Sequence, residues 1–264
     1  MERHAPEKVP PRAGRTLPLS LPRRLIIDLL HASRHVPLVP IERRMHLARL
    51  CAARQACHPR PGWCSIFAKA WAMVAARQPL FRQAYLPFPW PHLYEHAESI
   101  ASIAVECRWR DEDAVFFTQV RKPESRPLVE LDGALRRCKQ CPFESSGSVR
   151  RALRVGRLPL PVRRLLWWAG LNVSGSQRAR YFGTFGVSVT AGAGAAVLAI
   201  RSPLTTTLYY GVFDPGGAVD VRLAFDHRVV DGATVARALE ELERVLLTEM
   251  VAELAAGRPA GAAA

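Results

Sequence analysis

Between Val219 and Phe225 apolar and polar positions alternate, with Val219, Val221, Leu223 and Phe225 on one side and Asp220, Arg222 and Ala224 on the other. A period of two over this length predicts a strand with one buried face. From Ala233 the period changes. Val235, Leu239, Leu242, Leu246 and Met250 recur at helical spacing opposite Glu240, Glu241, Glu243 and Arg244, so an amphipathic helix follows. The joint, Asp226-His227-Arg228-Val229-Val230-Asp231-Gly232, puts a histidine where a strand ends. A side chain there is held by regular structure on both sides and borders open space, which suits a catalytic group. Asp231 also fits a helix N-cap and Gly232 a turn.

Upstream, Leu25, Leu29 and Leu30 mark a first helix over LPRRLIIDLLHASRHVPLV that stops before Pro37. Met45 to Ala56 predicts a second, through Leu47, Leu50 and Cys51, and Ser65 to Arg77 a third, with Ile66, Ala70, Met73 and Val74 inward and Pro79 closing it. Strands are expected over Ile100 to Trp109, Ala114 to Val120, Ala195 to Ile200 and Thr205 to Val212, with turns at Pro87 to Pro91 and Pro215-Gly216-Gly217. Residues 1–20 are Pro- and Arg-rich without periodicity and are expected to form a disordered basic arm. Residues 21–254 then make one domain and 255–264 a flexible Ala/Gly tail. A chain of 264 residues buries roughly 70–75% of its unfolded surface, enough for one core.

The stretch LAFDHRVVDGATVARALEELERVL resembles the C-terminal signature of the catalytic domain of the dihydrolipoamide acyltransferases of 2-oxo acid dehydrogenase complexes; chloramphenicol acetyltransferase shares their fold and a related motif. The opening helix, the Ala-rich SIFAKAWAMVAARQPLFRQAYL and GTFGVS, similar to the family's GTFTIS, extend the likeness from about Leu21 to Leu254. It implies an α/β fold, a chloramphenicol acetyltransferase-like two-layer sandwich with a mixed sheet and packed helices. It also implies a homotrimer whose sites lie between subunits, the histidine on one and a hydroxyl donor on the next. The catalytic residues carried over are His227 as general base, Ser188 as oxyanion donor and Asp231, which is expected to pair with Arg24 or Arg23. Asp226, Arg228 and Gly232 support the corner. Gly186 stands where the family has a hydroxyl residue, and the hairpin between Ser188 and the motif is shorter than the family's.

The implied reaction moves an acyl group from a CoA-type or carrier-protein thioester to a thiol or hydroxyl acceptor, with acyl-CoA or another acyl thioester as cosubstrate and no permanently bound cofactor. An imidazole titrates near neutrality, which suits a base, and no metal or covalent intermediate is required. At this length neither a swinging lipoyl domain nor a subunit-binding module is expected, which favours a stand-alone acyltransferase. The alternative is a non-catalytic protein of this fold that serves assembly or membrane-surface binding.

Charge adds one element to this picture. The formal net charge is +14, carried almost wholly by arginine, with Lys only at positions 8, 69, 122 and 139. No nucleic-acid module is recognisable, so no nucleic-acid partner is expected. Within residues 150–180, Arg150, Arg151, Arg154, Arg157, Arg163, Arg164, Arg178 and Arg180 surround Trp167-Trp168. Such a segment suits an anionic membrane surface or an acyl-chain mouth, or packs its tryptophans on the core behind a solvated arginine face. The family has one charged amphipathic helix in this interval. No apolar run reaches a membrane span and the N-terminus lacks an apolar leader segment, so the expected location is cytoplasmic, with peripheral membrane contact through residues 150–180. The six cysteines are expected to be reduced. Cys138 and Cys141 form one CxxC, and Cys107, His92 and His96 do not complete a zinc set at suitable spacing.

Overall fold

The computed structural model describes residues 14–140, 147–189 and 191–257. Cys141 and most of the N-terminal arm and C-terminal tail lie outside the described residues. Helix α1 (Leu21–Ser33) starts at Ser20, whose hydroxyl accepts from the Arg23 backbone N–H. It leads into β1 (Leu38–His46), α2 (Ala48–Gln55) and α3 (Trp63–Arg77). A two-stranded ribbon follows, β2 (Gln83–Leu86) with β3 (His92–Glu95), then the hairpin β4 (Ile100–Trp109) and β5 (Glu112–Arg121). Helices α4 (Leu128–Gln140), α5 (Gly147–Gly156), α6 (Leu160–Asn172) and α7 (Gly175–Phe182) precede β6 (Phe185–Val187) and β7 (Thr206–Tyr210). The chain closes with β8 (Ala218–Asp226), α8 (Gly232–Leu247) and α9 (Glu249–Ala256).

The six-stranded sheet runs β1-β8-β7-β6-β4-β5; β6 is parallel to β4 and β7, and the other pairs are antiparallel. The main core joins α3 and α8 to one face of this sheet, with Phe67, Trp71, Leu208, Leu223, Phe225, Leu239 and Leu246 buried. Each such side chain contributes about 1.5–3 kcal/mol by leaving water. Helices α1, α5, α6 and α7 make a second packed group beside β5 and the ribbon. This is the expected α/β architecture, a mixed sheet with packed helices. Among the described residues no helix is long and apolar enough to cross a membrane.

Four local expectations are corrected. Met45 and His46 are not helical: they pair with Val219 and Ala218, and the helix waits until Ala48 because sheet pairing and the Leu47 N–H to Gly217 carbonyl bond override local propensity. Residues 195–200 form no strand. Alanine, at positions 195, 196 and 199, favours strands weakly, and side chains satisfy two of the segment's carbonyls instead: Tyr209 Oη donates to Leu198 O and Arg222 to Val197 O. The single charged helix expected after residue 145 is three helices, broken before Leu160, where Pro159 and Pro161 stand, and at Ser174, which caps α7. Finally, α6 and α7 each spend one arginine of the basic segment on the interior, Arg163 and Arg178.

Candidate active site

The corner after β8 is built by Asp226. Its side chain is fully buried, and Oδ1 accepts from the Arg228 backbone N–H at 3.0 Å, a local turn that reverses the chain. The same carboxylate takes Arg228 in a two-point pair, Nε at 2.9 Å and Nη2 at 2.7 Å, while that guanidinium lies 4.4 Å over the Tyr85 ring. Val229 and Val230 donate to the Asp226 carbonyl and point inward, so the turn is pinned by apolar burial as well. Behind it Arg178 donates to the carbonyls of Leu171, Pro203 and Tyr85; burial lowers its pKa to about 10, and the Asp226 carboxylate counters that shift.

This frame sets His227. Its backbone N–H donates to Pro37 O at 3.2 Å, and the ring stands 5.5 Å from that of Phe225. The imidazole is half exposed, and Nδ1 approaches Asp231 Oδ1 at 3.6 Å, longer than a hydrogen bond. Asp231 occupies the N-cap position of α8, yet its side chain caps no N–H and is 85% exposed. The expected pairing of Asp231 with Arg24 or Arg23 is not formed within this chain. Arg24 donates to Gly156 O at 3.4 Å, since α1 packs on α5, and Arg23 faces outward.

Ser188 follows β6, and its backbone N–H donates to Leu208 O at 3.1 Å. Gly183 makes this entry to the sheet possible: at φ 88° a side chain is strained, and a Cβ would stand 2.8 Å from Ile100 O. Leu208 faces Leu223 across β7 and β8, so His227 lies four residues further along and two strands away. That is roughly 13 Å along the strands alone. One copy of the chain therefore does not bring His227 and Ser188 to one reacting atom.

Ser188 instead borders a cavity of about 680 Å³ between the sheet and α1, α5, α6 and α7. In its wall Asp28 of α1, 1% exposed, binds Arg163 of α6 through Nε at 2.8 Å and Nη2 at 3.3 Å, with Arg164 at 3.7 Å. Sequence reading placed Arg163 in the basic surface cluster. Its spacing to Trp167, Gly170 and Leu171, all buried, was the available signal that it lies on the inward stripe of α6. The tryptophan pair is split accordingly: Trp167 packs on Phe182, and Trp168 is exposed beside Phe88.

The histidine and cysteine candidates do not assemble. His92 lies in β3 with Nδ1 at Trp90 O, Cys138 Sγ meets Thr118 Oγ1 at 3.4 Å, and the described residues hold no metal-binding cluster. His96 is buried, and desolvation, then the charges of Arg178 and Arg82, push its pKa down to about 4. The folded protein thus refuses a proton that the unfolded chain accepts near pH 6.5. Stability should be constant above pH 6.5 and fall by about 3 kcal/mol between pH 6.5 and 4 on this account alone. Urea titrations should show that slope, and His96→Asn should flatten it; an unchanged slope in the variant would assign it to other groups.

No family model matches the sequence, and no curated protein does. Solved structures do. The chain is similar to the dihydrolipoamide acetyltransferase of Azotobacter vinelandii, with 18% identity and a TM-score of 0.67, covering 94% of this chain and 99% of that one. A truncated catalytic core of the 2-oxoacid dehydrogenase complex from Thermoplasma acidophilum gives 16% and 0.63, covering 89% and 99%. A probable dihydrolipoamide acetyltransferase from Listeria monocytogenes gives 16% and 0.61, covering 95% and 98%. In the Azotobacter vinelandii protein a serine, a histidine and an asparagine four positions after it have been studied for their role in the catalytic mechanism.

Proposed function

From the dihydrolipoamide acetyltransferase-like fold of this chain, we propose that it is an acyltransferase, moving an acyl group from a CoA-type or carrier-protein thioester to a thiol or hydroxyl acceptor. The observation that carries the reading is His227, half exposed on a corner fixed by the buried Asp226–Arg228 pair. His227 and Asp231 also keep the spacing of four between the histidine and asparagine of the Azotobacter vinelandii protein.

In the proposed reaction His227 takes the proton of the acceptor as its sulfur or oxygen bonds to the thioester carbonyl carbon. The carbonyl oxygen becomes an oxyanion that accepts from the Ser188 hydroxyl. Collapse breaks the carbon–sulfur bond, and the departing thiolate recovers the proton from His227. Because these two side chains lie far apart in one chain, the proposal includes a homotrimer with His227 of one copy beside Ser188 of the next. Release of free thiol from a panel of acyl-CoAs, with thiol and hydroxyl acceptors, tests the activity. No release from any donor would leave the non-catalytic alternative.

Peripheral membrane contact is proposed for Leu165 and Trp168, exposed on α6 with Phe88 beside Trp168, together with the exposed Arg150, Arg154 and Arg157. Each such arginine contributes about 1 kcal/mol at an anionic leaflet. Co-sedimentation should favour anionic over neutral vesicles, weaken in salt and fall with Trp168→Ala plus Arg154→Glu. Equal absence from both vesicle types would remove the membrane from the account.

A further inference from the structure

The cavity behind Ser188 has a chemistry that the proposed reaction does not by itself require. Its walls are mostly apolar, with Leu25 and Leu29 of α1, Ala104 and Phe117 of the sheet, Val155 of α5 and Phe182 of α7, and with Gln119 and Gln177 among the polar residues. The carboxylate on its wall, Asp28, is neutralised by Arg163. The exposed Arg151 and Arg201 also border the space and can meet an anionic head group. A volume of about 680 Å³ exceeds what an acetyl group fills. A methylene takes about the space of one water, roughly 30 Å³, so a chain of about fourteen carbons needs roughly 400 Å³.

The sheet beneath the cavity is altered in a matching way. A Cβ on Gly186 would lie 2.8 Å from Thr207 Oγ1 and 3.0 Å from its Cγ2, so the threonine of β7 occupies the place of a side chain at position 186. Thr207 is 4% exposed, lines the cavity, and its Oγ1 has no hydrogen-bond partner among the described residues. A buried hydroxyl without a partner is uncommon, and a ligand oxygen would satisfy it.

We propose that this cavity binds the alkyl chain of a long-chain acyl group, its carbonyl end toward Ser188 and Thr207. This rests on the acyltransferase reading for its biological meaning, but the binding is measurable without turnover. Burial of one methylene strengthens binding about fourfold, so straight-chain fatty acids should bind about fifteenfold more tightly for every two carbons added, up to about fourteen. Calorimetric titration of the purified protein with acids of about four to sixteen carbons reads this directly. Ala104→Phe and, from the opposite wall, Val155→Phe should each move the optimum to shorter chains, and thermal melts show that the variants are folded. Chain-length-independent binding, or an optimum unmoved in folded variants, overturns the proposal. Chain-dependent binding with no thioester turnover would retain the cavity assignment and remove the acyltransferase reading. Turnover of acetyl-CoA without chain-length dependence would do the reverse.

Discussion

His227→Ala is expected to lower acyl transfer by about 10² or more, the scale of a lost general base, while leaving the fold intact. The fold survives because the imidazole is half exposed and forms no side-chain hydrogen bond among the described residues, whereas its backbone N–H, which does bond Pro37, is kept. The corner itself depends on Asp226, Arg228 and the buried Val229 and Val230. Thiol release measured beside a thermal melt separates the two contributions. Turnover equal to the wild type would mean that His227 is not the base, and a lost melt would mean that the corner needs the ring.

The second large effect is on stability. Asp28→Ala should destabilise the protein by about 3–5 kcal/mol, because it strands the buried Arg163 guanidinium without its counter-charge. In a chain of this size that lowers the melting temperature by roughly 10 °C. The pair joins α1 to α6, so the cavity wall should loosen with it. Replacing both partners, Asp28→Leu with Arg163→Met, should recover much of the loss, since apolar packing replaces the buried pair and the remaining Arg164, 25% exposed, keeps access to water. A loss under about 1 kcal/mol in the single variant would show that water reaches Arg163 and that the pair is not truly buried.

What could be read from the sequence followed from how local each cause was. Strand β4 was expected over the residues it occupies, and β8 and α8 nearly so, because alternation and helical spacing act within a few residues. The corner was found for the same reason: seven consecutive residues carry both its motif and its turn chemistry. Features that failed depend on distant partners. Arginine reads as surface until Asp28, 135 positions away, takes Arg163 inside. Arg24 was assigned to Asp231 by resemblance, but the packing of α1 on α5 gives it the Gly156 carbonyl. Helix α4 went unread, although Leu128, Leu131 and Leu135 mark its buried face. Gly186 looked like a lost hydroxyl, and only the neighbouring strand reveals that Thr207 fills its place.

The central claim is that His227 of one copy and Ser188 of another serve one reacting carbonyl. Co-expressing His227→Ala and Ser188→Ala chains with different tags, purifying assemblies that carry both, and measuring thiol release from an acyl-CoA tests this directly. Each variant alone should be nearly inactive. In a trimer that carries both kinds of chain, one site of the three draws both its histidine and its serine from intact chains, so the purified mixed assemblies should recover about a third of wild-type activity. Mixed assemblies as inactive as the single variants would contradict a site shared between subunits.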